Sequence, residues 1–292
     1  MGVLLQKDRE TAQLYSLRCG EKSVTLDQPK IMGIINVTPD SFFDGGKYYS
    51  HSRPNLERIE LDAQAMIESG ATFLDIGGSS SRPGAAFISA SEEIERILPV
   101  VECLARLPVT LSVDTFHAKT AKAVLEVGAD VINDISGGRD PQMFEVIADS
   151  DCAYVIMHMQ GNPQNMQNNP TYSNIVAEVR GYLEKKVENL EQIGVCRSRL
   201  VVDPGFGFGK TFEHNIQLFK TLESFGSIGI PLLVGLSRKS FLGDIVGRDV
   251  NERLQASVTA AVLAVKRGAN IVRVHDVAQT CEGLMTLSAL SD

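Results

Sequence analysis

The chain has 292 residues, of which 43% are hydrophobic and 22% charged, and a formal net charge of −8. That balance is ordinary for a globular protein with a sizeable core. Its acidity argues against non-specific nucleic-acid binding, which needs a basic surface to displace counterions. Every apolar run falls far short of the roughly 20 residues needed to cross a bilayer. Residues 1–22 mix charges with scattered apolar residues and lack the continuous apolar stretch of a signal peptide. The expectation is a cytoplasmic protein with neither membrane nor nucleic acid as partner.

In chain order, residues 1–30 form a short extension ahead of the first apolar run, able to make a hairpin that closes the bottom of a barrel. Short apolar runs then recur at 31–35, 72–76, 110–113, 131–132, 154–157, 200–202, 232–234 and 271–274. They are almost wholly apolar rather than alternating, as strands covered on both faces should be. Between them lie helical patterns with apolar residues three or four apart, such as Leu56, Ile59, Ala63, Met66 and Ile67, or Val179, Leu183, Val187, Leu190 and Ile193. Gly70, Gly128, Gly194 and Gly268 each stand between a helical pattern and the next strand, where a left-handed residue stops a helix. Strand, helix, glycine, strand, repeated about eight times, predicts an α/β fold of the (β/α)8 TIM barrel type. A doubly wound open sheet is the rival on the pattern alone. No linker or change of composition divides the chain, so a single domain over 31–292 is expected.

Polar residues stand where the strands stop: Asn36, Asp75, Asp114, Asn133 and Asp134, His158, Asp203, the run 237–240, and Arg273 with His275. In a barrel these positions converge on the C-terminal rim, where active sites of this fold are built. Singly, an Asp or Asn after a strand serves equally well as a helix cap or turn residue. Two rim loops, 36–52 and 77–91, are far longer than the usual two to six residues, which fits lids or binding loops as well as disordered insertions. Phe42 and Phe43 favour the former, because loop aromatics need something to cover.

The glycine-rich stretch 203–211 ends like a phosphate-binding loop, but Pro204 stands where the first glycine would be needed and Lys210 breaks the dinucleotide pattern. Its glycines are read instead as letting backbone approach a flat ligand, with Phe208 available for stacking. At 237–241, Arg238 and Lys239 precede an expected helix start, which makes either an anion site or a surface ion-pair cluster. The five cysteines (Cys19, Cys103, Cys152, Cys196 and Cys281) are widely spaced without a C-x-x-C pair and are read as free thiols.

NVTPDSF with DGG at 36–46, DIGG and SRPGA at 75–85, VDT at 113–115, DPGFGFGK at 203–210, SRKS at 237–240 and RVHDV at 273–277 together resemble the dihydropteroate synthase family. The resemblance implies condensation of 6-hydroxymethyl-7,8-dihydropterin diphosphate with 4-aminobenzoate, with release of diphosphate. It implies Mg²⁺ on Asn36, the diphosphate on Arg82, Arg273 and His275, and the pterin on Asp114, Asn133, Asp203 and Lys239. It places 4-aminobenzoate against Phe42, Ser81, Pro83, Phe208 and Ser240, gives catalytic weight to Asp114, Lys239, Arg273 and His275, leaves Asp44 a weaker candidate, and implies a homodimer. One departure is visible: the family reads GGESTRPG where this chain has Ser79, Ser80 and Ser81 ahead of Arg82. Serine for threonine at 81 keeps the hydroxyl and loses a methyl worth about 1 kcal/mol if buried, and loss of the glutamate at 79 changes how the loop is anchored. A pterin-binding paralogue without catalysis, or a pterin-dependent methyltransferase domain, are the competing functions.

Overall fold

The structure is a computed structural model describing residues 14–38, 48–50, 53–80, 84 and 88–291. Ser16–Cys19 and Lys22–Thr25 pair as an antiparallel hairpin, with Leu17 and Cys19 on its buried face. It is fastened to the strand starts, in part by an ion pair between Arg18 and Asp151. The Lys22 ammonium reaches the Val109 carbonyl at 2.9 Å and Asp130 at 2.7 Å, and the Gly20 amide reaches the Asp151 carbonyl at 2.9 Å.

Eight parallel strands follow: β1 (Lys30–Asn36), β2 (Ala71–Gly77), β3 (Thr110–Asp114), β4 (Val131–Asp134), β5 (Ala153–Met157), β6 (Leu200–Asp203), β7 (Leu233–Val234) and β8 (Ile271–Val274). They lie in the order β6-β5-β4-β3-β2-β1-β8-β7. A bridge between Val202 and Leu232, with the Val202 amide on the Pro231 carbonyl at 3.0 Å, joins the ends into a barrel. The predicted barrel is the observed one. The β6–β7 seam is its thinnest join, because β7 has only two residues.

The helices are α1 (Leu56–Glu68), α2 (Ala90–Leu104), α3 (Ala118–Glu126), α4 (Met143–Ala148), α5 (Ile175–Gln192), α6 (Phe212–Lys220), α7 (Ser240–Val246), α8 (Leu254–Lys266) and α9 (Val277–Leu290). The periodic residues Ile59 and Ala63 of α1, and Val179, Leu183, Val187 and Leu190 of α5, are buried as their spacing requires. Leu56 and Ile193, at the ends of the two patterns, are exposed, because the apolar stripe rotates off the barrel in each terminal turn. The four helix-stopping glycines all have positive φ, between 91° and 110°. Within the 36–52 loop, Tyr48 is buried in the main core and Tyr49–Ser50 pairs with Arg53–Pro54.

The barrel interior is layered. Met32, Phe73, Val131, Val155, Val201, Leu233 and Ile271 form an apolar bottom layer, capped from below by Leu17, Cys19 and Leu26. Because side chains on a strand alternate faces, the residues two further along point inward one level higher. After Phe73, Val131, Val201 and Ile271 these are Asp75, Asn133, Asp203 and Arg273. The same alternation sends Leu74, Ile76, Ile132 and Val202 outward into the core shared with the helices. Leu17 is 1% exposed, so Leu17→Ala is expected to cost about 2–5 kcal/mol in urea unfolding while leaving the chemistry at the opposite end untouched. A loss under 0.5 kcal/mol would show that the hairpin does not seal the barrel.

Candidate functional site

Directly above the apolar layer, Asp75 is fully buried and accepts three hydrogen bonds: from Ser112 Oγ at 2.5 Å, from Asn133 Nδ2 at 3.0 Å and from Arg273 Nε at 2.6 Å. A terminal nitrogen of Arg273 donates to Asp114 at 2.9 Å. The strand register makes this possible, since Asp75 lies opposite Ser112 and Asp114 opposite Asn133. Burial pushes the Asp114 carboxyl up to about 7, against the pull of Arg273 and with the help of Asp75 and Glu93. Asp203, at the end of β6, is also raised by burial, to about 6, although the Gly205 amide at 2.7 Å and the charges of Lys239 and Lys210 favour its ionised form.

The glycine-rich stretch wraps over this acid. Gly205 has φ +70°, and a Cβ there would lie 2.0 Å from the His158 carbonyl, so glycine is required for the loop to press against the end of β5. Gly207 leaves room for Lys239, whose ammonium sits 4.0 Å from the centre of the Phe208 ring. Burial lowers Lys239 to about 8. Lys210 is 2% exposed; its ammonium is shared among His158 Nδ1 (3.0 Å), the His158 carbonyl (3.3 Å) and the Phe208 carbonyl (3.0 Å), and burial lowers it to about 7.

Asp114, Asn133, Asp203, Lys239, Arg273 and Phe208 are therefore brought to one end of the barrel. Phe208 is only 7% exposed, packs with Ile135, Met157, Met159 and Met166, and carries the Lys239 ammonium over its ring. His275 is oriented by Ser237 Oγ at 3.0 Å from its Nδ1. Ser240 opens α7 and is exposed. Of the two cations at 238–239 only Lys239 belongs to this group. Arg238 forms a two-pronged pair with Asp276 at 2.6 and 3.1 Å, which realises the ion-pair reading for that residue. Asp134 serves the fold, accepting from the Ser136 and Gly138 amides and the Tyr154 hydroxyl. Phe42, Asp44, Ser81, Arg82 and Pro83 lie outside the described residues. All five cysteines are free.

Two residues were missed in reading the sequence for site candidates. Asp75 stands in the sequence only among the polar strand ends, with no role of its own, though its spacing of two from Phe73 marks it as inward-facing. Lys210 stands there only within the glycine-rich stretch 203–211, with no role of its own. Beside the acids, a cavity of about 490 Å³ opens between the ends of β3, β4 and β5, lined by Phe116, Arg139, Met159 and Pro163 among others. None of the predicted substrate residues that are described lines it.

Among the described residues no group of three or more His, Cys, Asp or Glu side chains gathers as a metal cage. Asn36, at the end of β1, lies with its Oδ1 next to Gly77. One amide oxygen suits Mg²⁺, which keeps several waters and takes most other ligands from a substrate's phosphates.

A model of the pterin binding enzyme family matches residues 32–275. The dihydropteroate synthase of Escherichia coli (strain K12) is 44% identical over 268 residues, covering 91% of this chain and 93% of that protein. The sulfonamide complex of the Yersinia pestis dihydropteroate synthase superposes with a TM-score of 0.89 at 41% identity, covering 94% of this chain and 98% of the other. The Burkholderia cenocepacia enzyme complexed with 7,8-dihydropteroate gives 0.85 at 40% identity, covering 95% and 97%.

Chemically, the assembled groups can grip a flat ring that offers N–H donors to carboxylates, and can set positive charge beside it. The arrangement depends on Asp75, which holds both Arg273 and Asn133. Asp75→Asn is expected to destabilise the fold by about 3–5 kcal/mol, the cost of breaking a buried ion pair, read from denaturant unfolding. A change below 1 kcal/mol would contradict the pairing.

Proposed function

This chain belongs to the pterin-binding enzyme family, and from that premise we propose how its residues divide the work of a dihydropteroate synthase. The reaction joins 6-hydroxymethyl-7,8-dihydropterin diphosphate to 4-aminobenzoate. The C–O bond to the diphosphate breaks with its electron pair leaving on oxygen. The arylamine nitrogen forms the new C–N bond and then sheds a proton, giving 7,8-dihydropteroate. An arylamine is a weak nucleophile, so the barrier lies in parting a cationic pterin-methyl centre from a departing anion, and electrostatic stabilisation outweighs proton transfer.

Asp203 accepts the paired N–H donors of the pterin's guanidine-like edge, a geometry in which a carboxylate is a strong acceptor. Asn133 and Lys239 hold the rest of the ring. Asp114 faces the ring's developing positive charge. Arg273 is anchored by Asp75 through Nε and by Asp114 through one terminal nitrogen; its other terminal nitrogen, with His275 and Arg82, is assigned to the diphosphate. Phe208 and Ser240, with Phe42, Ser81 and Pro83, are assigned to 4-aminobenzoate. Asn36 would supply the protein oxygen for Mg²⁺, which when bound would spread the charge of the leaving diphosphate. The substrates are small molecules, and we infer a homodimer from the family. The observation that carries the division of labour is the meeting of Asp114, Asp203, Lys239 and Arg273 above one apolar layer.

Diphosphate release with both substrates present tests the reaction itself. Turnover is expected, and pterin binding without turnover would favour a non-catalytic paralogue. Asp203→Ala should mainly weaken pterin binding in calorimetric titration, whereas Arg273→Ala should mainly lower kcat, by about 10²–10³-fold for a lost charge-stabilising donor. Equal effects of both variants on pterin affinity and kcat would contradict the assignment. The Asp203 carboxyl is raised to about 6, so its ionised, donor-accepting form is present above that value and lost below it. The acid limb of kcat/KM for the pterin should therefore fall near pH 6, and a limb below pH 5 would remove Asp203 from this role.

A further inference from the structure

Lys210 has no part in the steps above, yet it is the most deeply buried lysine near the site. Its three ammonium hydrogens meet three acceptors, two on His158 and one on the Phe208 carbonyl. The Phe208 carbonyl is two residues back on the same loop, and His158 follows β5. The ammonium therefore clamps the apex of the glycine-rich loop to the neighbouring strand end. Among the described residues no other side chain bonds the Phe208 carbonyl: the Phe208 amide bonds within the loop to the Gly205 carbonyl at 3.1 Å, Gln167 takes the Gly207 carbonyl at 2.6 Å, and Tyr172 the Gly209 carbonyl at 2.7 Å. The clamped residue carries the ring over which the Lys239 ammonium rests at 4.0 Å, a cation–π contact strengthened by desolvation.

We propose that Lys210 is a positioning residue for the 4-aminobenzoate side of the site, acting through Phe208 on the ring wall. The proposal rests on the dihydropteroate synthase reading for the identity of that substrate. Without the ammonium, the Phe208 carbonyl and His158 Nδ1 are left buried and unpaired, a cost relieved by lifting the loop toward water. Phe208 then leaves its place, while Asp203 stays held by the Gly205 amide at 2.7 Å. The consequence is asymmetric between the two substrates.

The test is a double-mutant cycle on the full chain, with steady-state kinetics for each substrate and thermal unfolding of each variant. Lys210→Met is expected to raise KM for 4-aminobenzoate at least tenfold and KM for the pterin diphosphate less than threefold. Phe208→Ala should raise the same KM, and the double variant should add little beyond either single one, since both changes break one linkage. A purely structural role for Lys210 predicts lowered thermal stability with both KM values unchanged or shifted alike, and fully multiplicative effects in the cycle; either result overturns the proposal. If Lys210→Met does not fold, His158→Phe removes one of the three acceptors and should still raise KM for 4-aminobenzoate about threefold, and no rise overturns the proposal. Failure of the unmodified protein to release diphosphate would count against the functional reading itself, separately from the role of Lys210.

Discussion

One guanidinium bridging a fully buried carboxylate and a partly buried one is the constraint on which the rest of the site depends. Asp75 sits in the barrel with no solvent contact and an apolar layer immediately beneath it. Ionised carboxylates are tolerated there only if paired and hydrogen-bonded. Arg273, Ser112 and Asn133 together do this. In meeting the demand they become fixed themselves: Asn133 has its amide nitrogen turned to Asp75, and Arg273 spans from β8 toward β2 and β3. Asp114 is then an acid sharing a cation already committed to a deeper partner, which is why burial prevails and leaves it at about 7.

With Asp114 near 7, Asp203 near 6 and Lys239 near 8, the upper layer holds groups whose charges are easily altered by what arrives. A ring bearing N–H donors draws the acids to their ionised form, and an anionic tail favours the protonated lysine. Desolvation thus makes the pocket responsive to ligand charge, a use of burial commonly found at functional sites.

Much of this was legible in the sequence. Eight apolar runs separated by amphipathic stretches and glycine stops gave the barrel, because each is a local signal tied to backbone geometry. The acids and cations at strand ends were also readable, since a barrel forces strand ends together whatever the loops do. What escaped were relations among side chains. Arg238 and Lys239 are adjacent and alike in charge, yet Arg238 has φ +60° and turns to Asp276 on the far side of the strand end, which no pattern of residue types encodes. Asp75 is one of several polar residues at strand ends, and Lys210 stands in a broken nucleotide motif, so residue type and spacing single out neither. In both cases the function lies in a partner distant in sequence: Arg273 for one, His158 for the other.

The unequal stitching of the barrel has a mechanical corollary. Seven of the joins are strand ladders, but β6 and β7 meet through a single bridge and one neighbouring hydrogen bond. A join with so few backbone bonds opens at lower free energy than its neighbours. Asp203 ends one side of that weak join and Lys239 follows the other, so the gap between acid and ammonium is the most compliant dimension of the cup. Ligands that differ in width at this edge would be accommodated by slight parting of the staves, while the Asp75–Arg273–Asp114 side, built on full ladders, stays rigid and keeps register for the bond that breaks.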